Sequence, residues 1–214
     1  GTPTKGVAGK IGNAAAFDNA GINDDTFVGY DFSSGYSVSF WANISSYSSW
    51  AALVRYATKT GVSSKFVQWG RDGSTGNIII SHGSTDASVS GGWTSLIDIG
   101  VTHRYTLSWD GANAIAYRDG VEVLSAPLSI TPVPANAILK YFNYEASGTS
   151  VNSTLYDELT LTNGYVPQAK LLDEYKNQND PDNFGTSSAW VDLGGGAQES
   201  SVDFSVNKPV FAAS

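Results

Sequence analysis

The sequence predicts an all-β fold, an antiparallel two-sheet jelly-roll β-sandwich with one short helix near residues 167–176. Three observations carry that expectation. About ten short runs alternate apolar and polar residues, the period of a half-buried strand, at even spacing along the chain. Asp110-Gly111 and Asp119-Gly120 divide the longest alternating stretch, Val101 to Val123, into three strands. Asp-Gly between such runs is a strong hairpin signal, because a tight primed turn needs positive φ and Gly supplies it. Only one stretch has helical spacing.

Taken in order, residues 1–30 hold many Gly around Ala14-Ala15-Ala16-Phe17, which reads as an edge strand near 13–18 followed by an irregular loop. Tyr36 to Ile44 is a clear strand with Tyr36, Val38, Phe40, Ala42 and Ile44 on one face. Leu53–Ala57, Lys65–Gly70 and Asn77–Ser81 are three more, separated by Gly-containing turns. A Gly/Ser-rich loop, 82–92, leads to Trp93 and the central hairpin. In that hairpin Tyr105, Leu107 and Trp109 form one face of the first strand, while Asp110 and Asp119 serve as turn formers. Pro132 and Pro134 argue against a central strand in the next connection. Ala137–Phe142 and Thr154–Leu161 close the sheets. The helix is expected to begin at Pro167, whose missing N–H is not needed there, with Val166, Ala169, Leu172 and Tyr175 recurring at helical spacing. The organisation is therefore a sandwich over 1–180 and a C-terminal extension, 181–214, that packs on it or links to a neighbour.

The totals exclude several classes of function. The 214 residues include no Cys and no Met, which removes disulfides, metal thiolates and cysteine nucleophiles. A net charge of -8 makes nucleic acid and anionic membranes poor partners, since binding either depends on clustered Lys and Arg. No apolar run reaches the roughly 18 residues of a membrane helix. Six Trp, eleven Tyr and abundant Gly, Ser, Thr and Asn suit a secreted or cell-surface module of a larger polypeptide. Retaining glycosidases place an acid and a nucleophile about 5 Å apart, which two carboxylates on one strand face can supply. Here Glu122, Glu145, Glu158, Glu174 and Glu199 stand alone or beside one Asp, and Asp157 and Glu158, being adjacent, are expected on opposite faces. Neither His82 nor His103 lies near a nucleophile turn. The expected activity is binding, not catalysis.

Three pieces in order carry a resemblance: Phe17-Asp18 followed by Ser37-Val38-Ser39-Phe40-Trp41; His103 to Gly111 running into Tyr117 to Val123; and Tyr156-Asp157-Glu158-Leu159-Thr160-Leu161 followed by the helix and Tyr175-Lys176-Asn177-Gln178. Together they resemble the laminin-G-like branch of the concanavalin A-like lectin/glucanase superfamily over roughly 5–180. The resemblance implies a structural calcium ion at the sandwich edge, held by Asp18 and Asp157, with Asn19 and Asp25 as further candidates. Hard oxygen ligands and the absence of Cys are consistent with calcium. Asp157 draws attention on its own: it is in phase with Leu155, Leu159 and Leu161, and a carboxylate facing a core must be paired, hydrogen-bonded or metal-bound. Acceptance of backbone N–H groups is the alternative to a metal.

A glycan or polysaccharide is the expected ligand. Sugar recognition combines a flat aromatic face with planar polar groups, a mixture found at Arg55, Trp69 and Arg71. A second concentration, Tyr141 and Tyr144, lies where the family is usually Gly-rich; Trp50 and Trp93 form a third. The alternative is an interaction or scaffold domain of a cell-surface adhesin or virion assembly, binding protein or other domains of the same polypeptide.

Overall fold

The computed structural model describes residues 4–11, 13–17, 22–24, 32, 34–58, 65–82, 85–129, 137–141 and 151–180. The strands are β1 (Thr4–Ala8), β2 (Asn13–Phe17), β3 (Ile22–Asp24), β4 (Tyr36–Tyr47), β5 (Ala51–Thr58), β6 (Lys65–Arg71), β7 (Ile78–His82), β8 (Thr85–Val89), β9 (Thr102–Trp109), β10 (Asn113–Arg118), β11 (Val121–Pro127), β12 (Ala137–Tyr141) and β13 (Val151–Asn163). Helix α1 (Gly92–Leu96) follows β8, and α2 (Gln168–Asn179) follows β13. They form a seven-stranded sheet, β1-β2-β13-β4-β9-β10-β11, and a six-stranded sheet, β3-β12-β5-β6-β7-β8, antiparallel throughout. The expected two-sheet sandwich is the observed one.

The core between the sheets is built from the inward residues of the alternating runs. Val38, Phe40, Ala42 and Ile44 of β4 meet Val67 and Trp69 of β6, Ile78 and Ile80 of β7, and Tyr105, Leu107 and Trp109 of β9. Its polar atoms are linked: the Trp69 indole N–H donates to the Tyr36 hydroxyl at 2.9 Å, and that hydroxyl lies 3.0 Å from His82 Nε2. The Tyr36 hydroxyl thus accepts from Trp69 and shares a second hydrogen bond with His82.

The central hairpin forms as the sequence directs. Arg118 pairs with Val121 across Asp119-Gly120, with φ of 56° and 76°, the two positive values of a type I′ turn. The other Asp-Gly step closes a longer loop between Trp109 and Ala114, in which the Asp110 carboxylate accepts the N–H groups of Ala112 and Asn113 at 2.8 and 2.7 Å.

Several expectations need correction. The strand near 13–18 is β2, and it is not the sheet edge; β1 lies outside it. The loop read at 82–92 contains β8 and α1, and a three-residue strand, β3, interrupts the irregular loop after β2. Helix α2 starts at Gln168 with Pro167 just before it at φ -61°, and runs three residues beyond the expected end, to Asn179. Its buried residue is Leu171, packed with Ile115, Tyr117 and Val166 on the outer face of the seven-stranded sheet. Leu172 instead rests on Gly120. The helix is pinned by the buried Arg104, which donates to Leu171 O at 3.3 Å and to Glu174 at 2.7 Å, and by Gln178, which accepts from the Trp41 indole at 2.7 Å.

Candidate functional site

Asp157 lies on the outer face of the seven-stranded sheet, opposite Trp41. The inward residue is its neighbour Tyr156, whose ring packs 5.3 Å from that of Phe40. The phase expected from Leu155, Asp157, Leu159 and Leu161 fails because the pairing shifts between Asp157 and Thr160. There Glu158 adopts a left-handed φ of 51°, so one extra residue enters the strand, as in a β-bulge. Leu161 therefore packs against the core, while Leu159 is exposed. Asp157 and Glu158 border a groove of about 430 Å³ together with Lys5, Ala14, Tyr156 and Leu159.

The Asp157 carboxylate is buried and satisfied by backbone: Oδ2 accepts the Ile11 N–H at 2.9 Å and Oδ1 the Glu158 N–H at 3.0 Å. Asp18, Asn19 and Asp25 lie outside the described residues. Phe17, which precedes Asp18, pairs with Ser153, whereas Ala15 pairs with Tyr156, so β2 reaches Phe17 while running away from Asp157. Among the described residues no three His, Asp or Glu side chains are grouped to hold a metal ion. Asp157 offers a cation the spare lone pairs of one ligand.

The expected sugar-binding residues separate. Trp69 is wholly buried in the core with its N–H on Tyr36, so it is not a stacking platform; a Trp alternating with Val67 on a central strand is drawn to the inter-sheet core. Arg71 ends β6 and serves the rim, its guanidinium 5.5 Å from the Tyr47 ring centre and donating to Ser49 O. Trp93 is also buried, on α1, edge-on to Tyr47, while Trp50 is partly exposed. The backbone of Tyr141 pairs with Val54 in β12; its side chain, like the whole of Tyr144, lies outside the described residues.

Arg55 stands in a different setting. Register places it opposite Gln68 of β6, and Gln68 opposite Ser81 of β7; Lys140 of β12 pairs with Arg55 on its other side. Val67 and Trp69 flank Gln68, and Ile80 and His82 flank Ser81, all turned toward the core. The polar row therefore belongs to the opposite face of the six-stranded sheet. Arg55, Gln68 and Ser81 are nonetheless only 1%, 2% and 0% exposed. Gln68 Oε1 is buried and accepts no hydrogen bond, a deficit of about 1–3 kcal/mol for a structural amide. Gly70 follows on the same face; a Cβ there would lie 3.1 Å from Gln68 Nε2 and 2.9 Å from Ala51 O, so glycine leaves the amide room to lie along the strand. Gln68 was not among the expected residues. The alternation Val67-Gln68-Trp69 already marked it as facing away from the core.

Among the described residues the histidines are not joined to a serine and a carboxylate as a hydrolytic triad. His82 is fully buried against Tyr36 and Trp109. His103 holds Asp119 at 2.6 Å through Nδ1, but its Nε2 faces the Asp98 carboxylate at 3.5 Å, where a serine hydroxyl would be required. No helix among the described residues is long and apolar enough to cross a membrane.

A laminin-G family model, described as the concanavalin A-like lectin/glucanases superfamily, matches residues 15–171. Domain 4 of AbnA, a GH43 extracellular arabinanase from Geobacillus stearothermophilus, solved in complex with arabinotriose, is similar in structure. It has 24% sequence identity and a TM-score of 0.64, with 81% of each chain covered. The binding domain of botulinum neurotoxin serotype G is similar at 14% identity and a TM-score of 0.56, covering 78% of this chain and 43% of that one. The binding domain of Paraclostridial Mosquitocidal Protein 1 is similar at 10% identity and a TM-score of 0.58, covering 82% and 45%. The chain thus spans less than half of either toxin structure. No curated protein matches the sequence.

Proposed function

Since this chain belongs to the concanavalin A-like lectin/glucanase superfamily, we propose that it is a non-catalytic glycan-binding module of a secreted or cell-surface protein. The observation that carries this reading is the Arg55–Gln68–Ser81 row. On the outer face of the six-stranded sheet these three place planar donors, an amide and a hydroxyl side by side. The arabinotriose-bound neighbour supports the choice of ligand class. A glycan array carrying arabino-oligosaccharides among other neutral and acidic sugars is expected to give saturable binding. An array that stays blank with and without calcium would remove the reading. It would favour a protein partner, for which the exposed Ile99, Val101 and Val121 near the Asp98–His103–Asp119 array offer apolar contacts.

Calcium is the second part of the proposal and rests on Asp157. Melting temperature in protein stripped with EDTA is expected to rise on adding calcium, and Asp157→Asn is expected to abolish the rise. An unchanged melting temperature leaves Asp157 as the anchor of the Ile11 backbone that its hydrogen bonds already make it. In either case Asp157→Ala removes the acceptor of two backbone N–H groups and should cost about 1–3 kcal/mol in urea unfolding.

A further inference from the structure

We infer that Trp50 and Arg71 form an open platform for a neutral sugar at one end of the sandwich, an assignment that rests on the glycan-binding reading and deepens it. Five Trp lie among the described residues, and Trp41, Trp69, Trp93 and Trp109 are buried. Trp50 is 38% exposed. It ends the short turn between β4 and β5, where Ser48 Oγ donates to its carbonyl at 2.6 Å. Gly73, in the turn between β6 and β7, seats the ring. A Cβ on Gly73 would lie 2.3, 2.5 and 2.6 Å from Nε1, Cδ1 and Cε2 of the indole. Near-equal distances to three atoms of one ring place that carbon over the ring face. One face of the five-membered ring thus rests on backbone with no room for a side chain, which leaves the rest of the indole to account for the exposure. A fixed aromatic surface at the rim gives the C–H face of a sugar ring a place to stack, with direct entry from solvent.

Arg71 supplies the polar half of the platform. Its backbone pairs with Ala51, the residue after Trp50, and its Nη1 donates to the carbonyl of Ser49, the residue before. The guanidinium lies 5.5 Å from the Tyr47 ring centre, and Tyr47 packs edge-on to the buried Trp93, so the fork is held in place before a ligand arrives. Nε is buried with no acceptor, and among the described residues Nη2 has none either. The adjacent Asp72 does not engage these donors through Oδ1, which accepts the N–H and the hydroxyl of Ser74 at 2.8 and 2.6 Å. Sugar hydroxyls can accept from Nη2 while the ring lies on Trp50. The Asp72 carboxylate beside the platform and a net charge of -8 disfavour an acidic sugar, so the ligand class is a neutral glycan.

Calorimetric titration of the full chain with arabinotriose, and with whichever neutral oligosaccharide the array returns, tests the assignment. Trp50→Ala is expected to bind about tenfold more weakly, the loss of one aromatic anchor. Arg71→Met keeps an apolar stem beside Tyr47 and removes the donors; it is expected to bind about fivefold more weakly. The Trp50 indole N–H resonance is expected to shift when sugar is added to the parent protein, a readout that does not depend on how either variant folds. Equal affinities for the parent and either variant would overturn the inference, as would an indole resonance that stays in place when sugar is bound. Each of those results leaves glycan binding itself intact. A parent protein that binds no sugar at all removes the broader reading, and this platform with it.

Discussion

Gly120→Ala loses about 3 kcal/mol of stability and unseats helix α2. Gly120 occupies the second position of the β10–β11 turn at φ +76°, a conformation that costs an L-residue about 1–2 kcal/mol. A Cβ there would also lie 2.5 Å from Leu172 Cα and 2.9 Å from Leu172 N. Those are backbone atoms, so no rotamer change relieves the contact. The helix must lift or the turn must open, at about 1–3 kcal/mol. Lifting α2 loosens the Leu171 packing on Ile115 and Tyr117 and the hydrogen bonds from Arg104 and Trp41. Gly100→Ala is the matched control: its φ is +79°, but nothing lies within 4 Å of the added carbon. Urea unfolding should therefore show a loss of about 1 kcal/mol for Gly100→Ala, the strain alone. The excess at Gly120 is the cost of displacing the helix. Equal losses at the two sites would mean that α2 is not held against this turn.

Tyr36→Phe is expected to cost about 3 kcal/mol, because it removes the acceptor of the Trp69 N–H and the hydrogen-bond partner of His82 Nε2 in one step, at about 1–3 kcal/mol for each buried group. A loss below about 1 kcal/mol in denaturant unfolding would show that the Trp69–Tyr36–His82 chain has another way to pair. The same residue contributes to the alkaline limit of the fold. Burial pushes the Tyr36 hydroxyl well above its ordinary value, only partly opposed by the Trp69 hydrogen bond. Burial likewise pushes Tyr105 up to about 12. An unfolded chain releases these protons near pH 10 while the folded chain keeps them, so above that pH the unfolded state binds fewer protons and stability falls as pH rises. The contribution is complete below pH 10. Between pH 10 and about 12 it declines by about 1.4 kcal/mol per pH unit for each of the two tyrosines. Unfolding curves across that range should be shallower in pH for Tyr36→Phe, by one tyrosine's share.

Most of the architecture was legible in local pattern. Alternation in β4, β6 and β9, the Asp119-Gly120 turn and the apolar spacing after Pro167 each follow from the covalent geometry of a few neighbouring residues, and all recur in the fold. Short elements escaped. β3 has three residues and α1 five, too few for a period to register. Asp157 was singled out correctly as a carboxylate needing partners, but its face was misjudged, because a bulge at Glu158 advances the phase by one residue and leaves no mark in the apolar pattern.

The sequence by itself determined the fold class, the central hairpin and the absence of cysteine and methionine chemistry, since each depends on composition or on contacts a few residues apart. Only the tertiary structure decided which side chains meet. Trp69 and Arg55 are close in the chain and similar in their promise for a sugar, yet the sheet sends one into the core and the other to the opposite face. Arg55, Gln68 and Ser81 are 13 residues apart at each step and become neighbours through the registers of β5, β6 and β7. Register is fixed by the summed burial of whole strands against the other sheet, so it cannot be read from any one of them.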